Sequence, residues 1–394
     1  MKKKIMIIGA GRLQLPAIIR AKELGHEVIS VDMNPNAVGF RYADVKCVVS
    51  TNDIEGVLKE AEKLKPDGVM TLATDMPVRT VAAVAEKFNL NSIDKKTAIK
   101  VTDKSEMRKA LRGKNIPIPK FFIVNNYEEY KSAIKNFSGV FIVKPADSSG
   151  SRGVFLVREQ RQATEAYNYS FKFSQSGKVL VEEYMIGPEV SVETFSINGI
   201  VNVIAITDKK ITGEPYFVEL GHSIPSSLDT GIILEINKVA KSAVGSIGIK
   251  NGPSHTEMIV TEEGPKIVEI GARLGGDNIT THLVPLSTGI NMIDLNIKYA
   301  LNEKINIKRT LNKASAIRYI STDIGKIKQI RGIEEVKNIK GIKVVEMDKK
   351  IGDYIGEIKS STDRVGYVIS QTDSVLEANK ICEEACNKIE IITT

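Results

Sequence analysis

His255-Thr256-Glu257-Met258-Ile259-Val260-Thr261, then Glu262-Glu263-Gly264-Pro265, then Lys266-Ile267-Val268-Glu269-Ile270, is the stretch that decides how this chain is read. Both flanks are rich in apolar and β-branched residues, and the Gly-Pro centre is a turn, so the pattern predicts a hairpin. Glu257 and Glu269 are equidistant from Glu263, which places them opposite each other on one face. Facing Cβ atoms lie about 5 Å apart in such a pair, and like charges there are destabilising. A divalent cation between them would turn that liability into a site, because hard cations take carboxylate oxygens. An edge hairpin with two solvated glutamates is the alternative. Gly271-Ala272-Arg273-Leu274-Gly275-Gly276-Asp277 follows directly and sets a guanidinium and open backbone beside the pair, a combination suited to phosphate.

Outward from the hairpin, the chain of 394 residues is long enough for two or three domains, with 42% hydrophobic residues for their cores. Apolar runs alternating with helical patterns predict α/β and α+β architecture. The net charge of +7 comes from scattered lysines, with no basic stripe interleaved with aromatics, so small anionic substrates fit better than nucleic acid. No apolar run is long enough to span a membrane, and the start reads as a first strand rather than a signal peptide, so a cytoplasmic protein is expected. Cys47, Cys382 and Cys386 form no framework and read as reduced thiols.

Residues 1 to about 94 read as βαβ units in an open parallel sheet, and a single helical stretch is expected from Lys95 to Gly113. Pro117 and Pro119 break the pattern. A strand-rich region then runs to about 305, and a short α+β tail of 306–394 closes on a helix over Ser374–Ile389.

Three further segments carry chemistry. Gly9-Ala10-Gly11-Arg12-Leu13-Gln14 follows the first strand and Asp32 ends the second, close to a dinucleotide fingerprint, but Gln14 stands where a third glycine belongs. An NAD(P)-dependent oxidoreductase is therefore an alternative, beside a structural turn or an anion site. Lys144 ends a strand and leads into Ser148-Ser149-Gly150-Ser151-Arg152-Gly153, a loop able to turn several N–H groups toward a phosphate. Glu182-Glu183-Tyr184-Met185 is an acid-rich hinge whose backbone could meet an adenine edge, with Glu189 placed for ribose hydroxyls.

In this order and spacing, Lys104, Lys144, the glycine loop, the hinge, Glu189, Glu257, Glu269 and Arg273 resemble the ATP-grasp superfamily over roughly residues 1–305. The resemblance implies a preATP-grasp open parallel sheet (1–94), a two-lobed ATP-grasp core with a lid (95–305, lid about 118–184) and a small C-terminal α+β domain (306–394). It implies ATP and Mg²⁺ (or Mn²⁺) as cofactors, and an acylphosphate made from a small carboxylate and attacked by an amine or similar nucleophile, with ADP and phosphate released. Lys104 and Lys144 would bind phosphates. Ser148, Ser149, Gly150, Ser151 and Gly153 would cover them. Glu182, Glu183, Tyr184 and Met185 would hold adenine, and Glu189 the ribose. Glu257 and Glu269 would hold the metal, and Arg273 would offset charge on the transferring group, with Lys144.

The family usually writes Glu-x-Asn-x-Arg; here Gly271 replaces the Asn, so water or Asp277 is expected to supply the missing ligand. Arg12, Gln14, Thr74, Asp75 and His222 are the expected substrate contacts, since the first four follow strands of the parallel sheet. The hairpin and Gly221-His222 resemble amino-acid ligases, and the length and N-terminal region resemble phosphoribosylglycinamide synthetase and the carbamoyl-phosphate synthase branch. A homodimer is compatible with this reading; neither nucleic acid nor membrane is an expected partner.

Overall fold

The computed structural model describes residues 2–148, 150, 152–214 and 216–394. The N-terminal sheet is parallel, in the order β3 (Val45–Val48), β2 (Glu27–Asp32), β1 (Lys4–Ile8), β4 (Gly68–Met70). Its strands are nearly continuous apolar runs because helices α1 (Leu15–Glu23), α2 (Ile54–Leu64) and α3 (Pro77–Phe88) cover them. The helical stretch expected over 95–113 is two helices, α4 (Lys95–Thr102) and α5 (Lys104–Arg112). The break is at Asp103, whose carboxylate accepts from Ser105 N at 2.8 Å and Glu106 N at 3.2 Å, so the second helix starts afresh with Lys104 in its first turn.

The segment expected as the lid holds a small antiparallel sheet in the order β5 (Phe121–Val124), β8 (Val179–Glu183), β6 (Phe141–Pro145), β7 (Phe155–Val157). Two helices not foreseen in the sequence, α6 (Tyr127–Ile134) and α7 (Ala163–Lys172), pack on it through Tyr130, Tyr167 and Val143.

The core sheet runs β13 (Gly264–Gly271), β12 (Gly252–Thr261), β9 (Glu189–Ile197), β10 (Ile200–Ile211), β11 (Glu219–Ile224), β14 (Ala314–Tyr319), β18 (Gly366–Thr372), β16 (Ile342–Met347). The predicted hairpin is β12–β13; it turns at Glu262-Glu263, with Gly264-Pro265 already in the return strand, and a bulge between Glu257 and Met258 shifts the register so that Glu257 faces Glu269. Helix α8 (Thr230–Ile247) covers one side, burying Ile236, Ala240 and Val244. The α+β tail adds three of its strands to this sheet, so the wall beyond β11 belongs to residues past 313. Helix α12 (Val375–Lys388) seals it through Ala378, Cys382 and Ala385. Among the described residues, no helix is long and apolar enough to cross a membrane.

Candidate active site

A cleft of about 330 Å³ lies where the three regions meet. Thr74 and Asp75 line it from the parallel sheet, Gly150 from the lid loop, and Lys209, Glu219, His222, His255, Glu257, Glu269, Arg273 and Asp277 from the core. Lys359 to Ser361 reach it from the C-terminal segment. A shallower groove between β3 and α2, lined by Asp53, Lys59 and Glu60, holds none of these groups.

The opposed carboxylates are not left to repel each other. Glu269 accepts from Lys104 Nζ at 2.9 Å, and Lys104 Nζ also donates to the Ser148 carbonyl in the lid loop at 2.8 Å. Glu257 lies 3.4 Å from Lys209 Nζ and 3.2 Å from His255 Nε2. His255 is itself held at Nδ1 by the buried Glu193, 2.5 Å away. Burial alone would lower the His255 pKa, but the Glu193 charge and hydrogen bonds to Glu193 and Glu257 raise it to about 9. Burial would likewise raise the Glu257 pKa, yet Lys209 and His255 hold that carboxyl well below its usual range. Gly275 makes the arrangement possible: a Cβ there would sit 2.7 Å from His255 Nδ1.

Toward the lid, Lys144 Nζ is 2.6 Å from Glu182, and Glu182 takes two further bonds from the fully buried Arg108, at 2.7 and 3.2 Å. Arg108 also donates to the Val268 carbonyl on β13 at 2.9 Å, so one guanidinium ties lid, α5 and core. Glu183 is taken up by Lys266 at 3.0 Å, Tyr184 reaches Glu214 at 3.3 Å, Met185 is buried, and Glu189 is ion-paired with Lys209. Ser149 and Ser151 lie outside the described residues.

Several placements depart from expectation. Arg12 is not in the cleft: its side chain is 64% exposed and pairs with Asp348 at 2.7 Å. Gln14 is buried and donates to the Leu72 carbonyl at 2.6 Å, and a Cβ on Gly9 would meet its side chain at 2.8 Å. Gln14 thus plugs the glycine turn where a dinucleotide pyrophosphate would approach, and Asp32 is spent on Ala10 N at 2.9 Å and Asn34 N at 2.9 Å. The oxidoreductase alternative loses its site. Asp277 is not free to replace the family Asn, because Arg364 grips it at 2.7 and 2.9 Å and stacks 3.7 Å over Tyr319. The carboxylate at the open side of Gly271 is Asp75: a Cβ on Gly271 would lie 2.7 Å from its Oδ1.

Asp75 in turn holds Arg273 through two bonds of 2.8 and 3.1 Å. We expect Asp75→Ala to lower kcat, since it releases the guanidinium from a fixed fork, while Arg12→Ala leaves both kcat and KM near wild type. Steady-state kinetics of the two variants check this; an Asp75→Ala effect confined to KM would mean that Asp75 only touches substrate. Arg108, Glu193, Lys209, Glu219 and Arg364 were not anticipated. Glu193, a charge inside an otherwise apolar strand, gave a faint signal; Arg108 lies in a helix crowded with charges, Lys209 between Asp208 and Lys210, and Arg364 in a loop, where nothing local marks them.

Lysines from two regions set against opposed carboxylates, beside an arginine fixed by a carboxylate, form a site suited to phosphoryl transfer. Comparison with known proteins supplies the domains. Residues 137–281 match the ATP-grasp domain and residues 318–394 match the L-amino acid ligase C-terminal domain 2. The chain is 25% identical to a formate-dependent phosphoribosylglycinamide formyltransferase of Prochlorococcus marinus, covering 100% of this chain and 98% of that protein. It is 24% identical to an L-arginine-specific L-amino acid ligase of Bacillus subtilis, over 78% of this chain and 76% of that one. The fold superposes on the crystal structure of an L-amino acid ligase from Bacillus licheniformis with a TM-score of 0.85 and 24% identity, covering 100% of this chain and 99% of that one. The chain thus carries the ATP-grasp domain of ligases that use ATP to join a carboxylate to an amine with release of ADP, together with a C-terminal domain of the L-amino acid ligase kind.

Proposed function

We propose that this enzyme activates an amino-acid-like carboxylate as its acylphosphate and passes the acyl group to an amine. The observation that carries this reading is the match of residues 318–394 to the L-amino acid ligase C-terminal domain 2, the segment that brings Lys359 to Ser361 to the cleft. The charges of the cleft are balanced rather than basic: Glu219 stands against Lys209, Asp75 against Arg273 and Asp277 against Arg364. A phosphoribosyl substrate needs cations for its phosphate, and Arg12, in the first loop, is tied to Asp348 outside the cleft.

The residues fit Mg²⁺. Two facing carboxylates, Glu257 of which is held well below its usual pKa range, are what Mg²⁺ takes from a protein when phosphate oxygens and waters complete its shell. When bound, the metal would offset charge on the β- and γ-phosphates. Glu257 and Glu269 would hold it, and Lys104 and Lys144 would bind phosphate oxygens beside it. The hinge 182–185 would receive adenine and Glu189 the ribose, with 148–153 as the covering flap. Arg273, fixed by Asp75, orients the substrate carboxylate and stabilises charge as its oxygen attacks the γ-phosphorus and ADP leaves. The amine enters beside Glu219, gives up its proton to water and attacks the acyl carbon; phosphate departs with the activating oxygen as the amide forms and the second proton leaves to water.

A screen of amino acids with Mg-ATP tests this. The correct acid should yield ADP and phosphate, and with hydroxylamine a hydroxamate; AMP as the main nucleotide product would sink the reading. Turnover with a phosphoribosylamine and glycine or formate, but not with amino acids, would favour a purine-pathway activity of the kind named for the Prochlorococcus relative.

A further inference from the structure

We propose that Lys104 stands in for the metal at Glu269 while Lys209 offsets Glu257, so that the chain admits a divalent ion at the two glutamates only together with nucleotide. The inference rests on the metal reading given above. Each facing carboxylate carries a lysine ammonium delivered by a different element: Lys104 from the first turn of α5 to Glu269, and Lys209 from β10 to Glu257. Lys209 is 4% exposed and sits among three carboxylates, paired with Glu189 and lying 3.4 Å from Glu257 and 3.6 Å from Glu219. One ammonium therefore joins the groups assigned to ribose, metal and amine.

Two positive charges at contact distance neutralise the pair and repel an incoming cation. Without them the opposed carboxylates would repel each other and attract metal unaided. Triphosphate changes the balance. Lys104 already spans from the core to the lid-loop carbonyl of Ser148, and an ammonium has three donors to redistribute. When phosphate oxygens take up Lys104, Glu269 is released to the metal that arrives with them. Lys209 stays, because Glu189 and Glu219 keep it, and as a positioning residue it holds Glu257 in line. The device prevents a metal from occupying the site alone, with no phosphate to complete its shell.

Mn²⁺ binding followed by electron paramagnetic resonance tests this on the full chain without nucleotide. Wild type should bind Mn²⁺ weakly alone and tightly with a non-hydrolysable ATP analogue. Lys209→Met and Lys104→Met should each raise nucleotide-free Mn²⁺ affinity by roughly tenfold or more. Lys209→Arg, which keeps the charge, should behave as wild type, and adding Glu257→Gln to Lys209→Met should abolish the gain. Should Lys209→Met fail to fold, Lys104→Met alone carries the comparison. Equal nucleotide-free affinity in wild type and the Met variants, or tight binding by wild type without nucleotide, overturns the proposal and leaves the metal reading standing. No Mn²⁺ binding by wild type even with the analogue overturns both.

Discussion

Glu269→Gln is expected to lower turnover by roughly a hundredfold or more while the melting temperature stays close to wild type, because the substitution removes a metal ligand and a charge but little volume. Glu269 is the simpler of the two facing glutamates for this experiment. Among the described residues it pairs with Lys104, which keeps the Ser148 carbonyl and can still donate to the carboxamide oxygen, whereas Glu257 meets both Lys209 and His255, so its loss alters two contacts at once. Turnover should fall at every Mg²⁺ concentration, and the thermal shift that Mg-ATP gives the wild type should shrink. Near-native turnover by Glu269→Gln would make the pair a surface feature and remove the basis of the assigned chemistry.

Glu182→Gln should be the most destabilising single substitution in the site. The Glu182 carboxylate is 4% exposed and is the anion for both Arg108 and Lys144. Removing one member of such a buried set leaves uncompensated charge and typically costs about 3–5 kcal/mol. Urea denaturation measures it. The pH dependence has a definite sign. Burial would raise the Glu182 pKa, but the charges of Arg108 and Lys144 and their hydrogen bonds bring it down to about 2. A carboxylate lowered from 4.5 contributes stability that is fully present above pH 4.5 and is lost as pH falls toward 2. Wild type should therefore lose stability over that window, and Glu182→Gln should flatten the slope. A variant as stable as wild type, with the same acid limb, would show that the Arg108 cluster contributes nothing to holding lid against core.

The two experiments separate catalysis from scaffolding within one network. Lys104 and Arg108 lie on the same face of α5, one turn apart; the first meets Glu269 and the second meets Glu182 and the carbonyl beside Glu269, at Val268. The short helix created by the Asp103 cap thus carries both the proposed phosphate contact and the strut between lobes.

What the sequence determined by itself is whatever local pattern encodes. The parallel strands of the first 70 residues are continuous apolar runs, and the hairpin announces itself by two apolar strands about a polar, glycine-bearing turn. Counting outward from Glu263 sets Glu257 against Glu269, but the chain turns at Glu262-Glu263, a register that would pair Glu257 with Val268, and the bulge beside Glu257 is what brings the two glutamates opposite each other. What only the tertiary structure decided are the partners. Arg273 meets Asp75 from another domain, Asp277 meets Arg364 from the tail, Glu257 meets Lys209, and Glu182 meets Arg108. With 55 basic and 48 acidic side chains, composition permits a great many such pairs. Periodicity says which face a charge is on but not what arrives opposite it. The same limit explains the tail: its short strands were visible, but their joining the core sheet beside β11 depends on backbone hydrogen bonds between segments about a hundred residues apart, which no local pattern specifies.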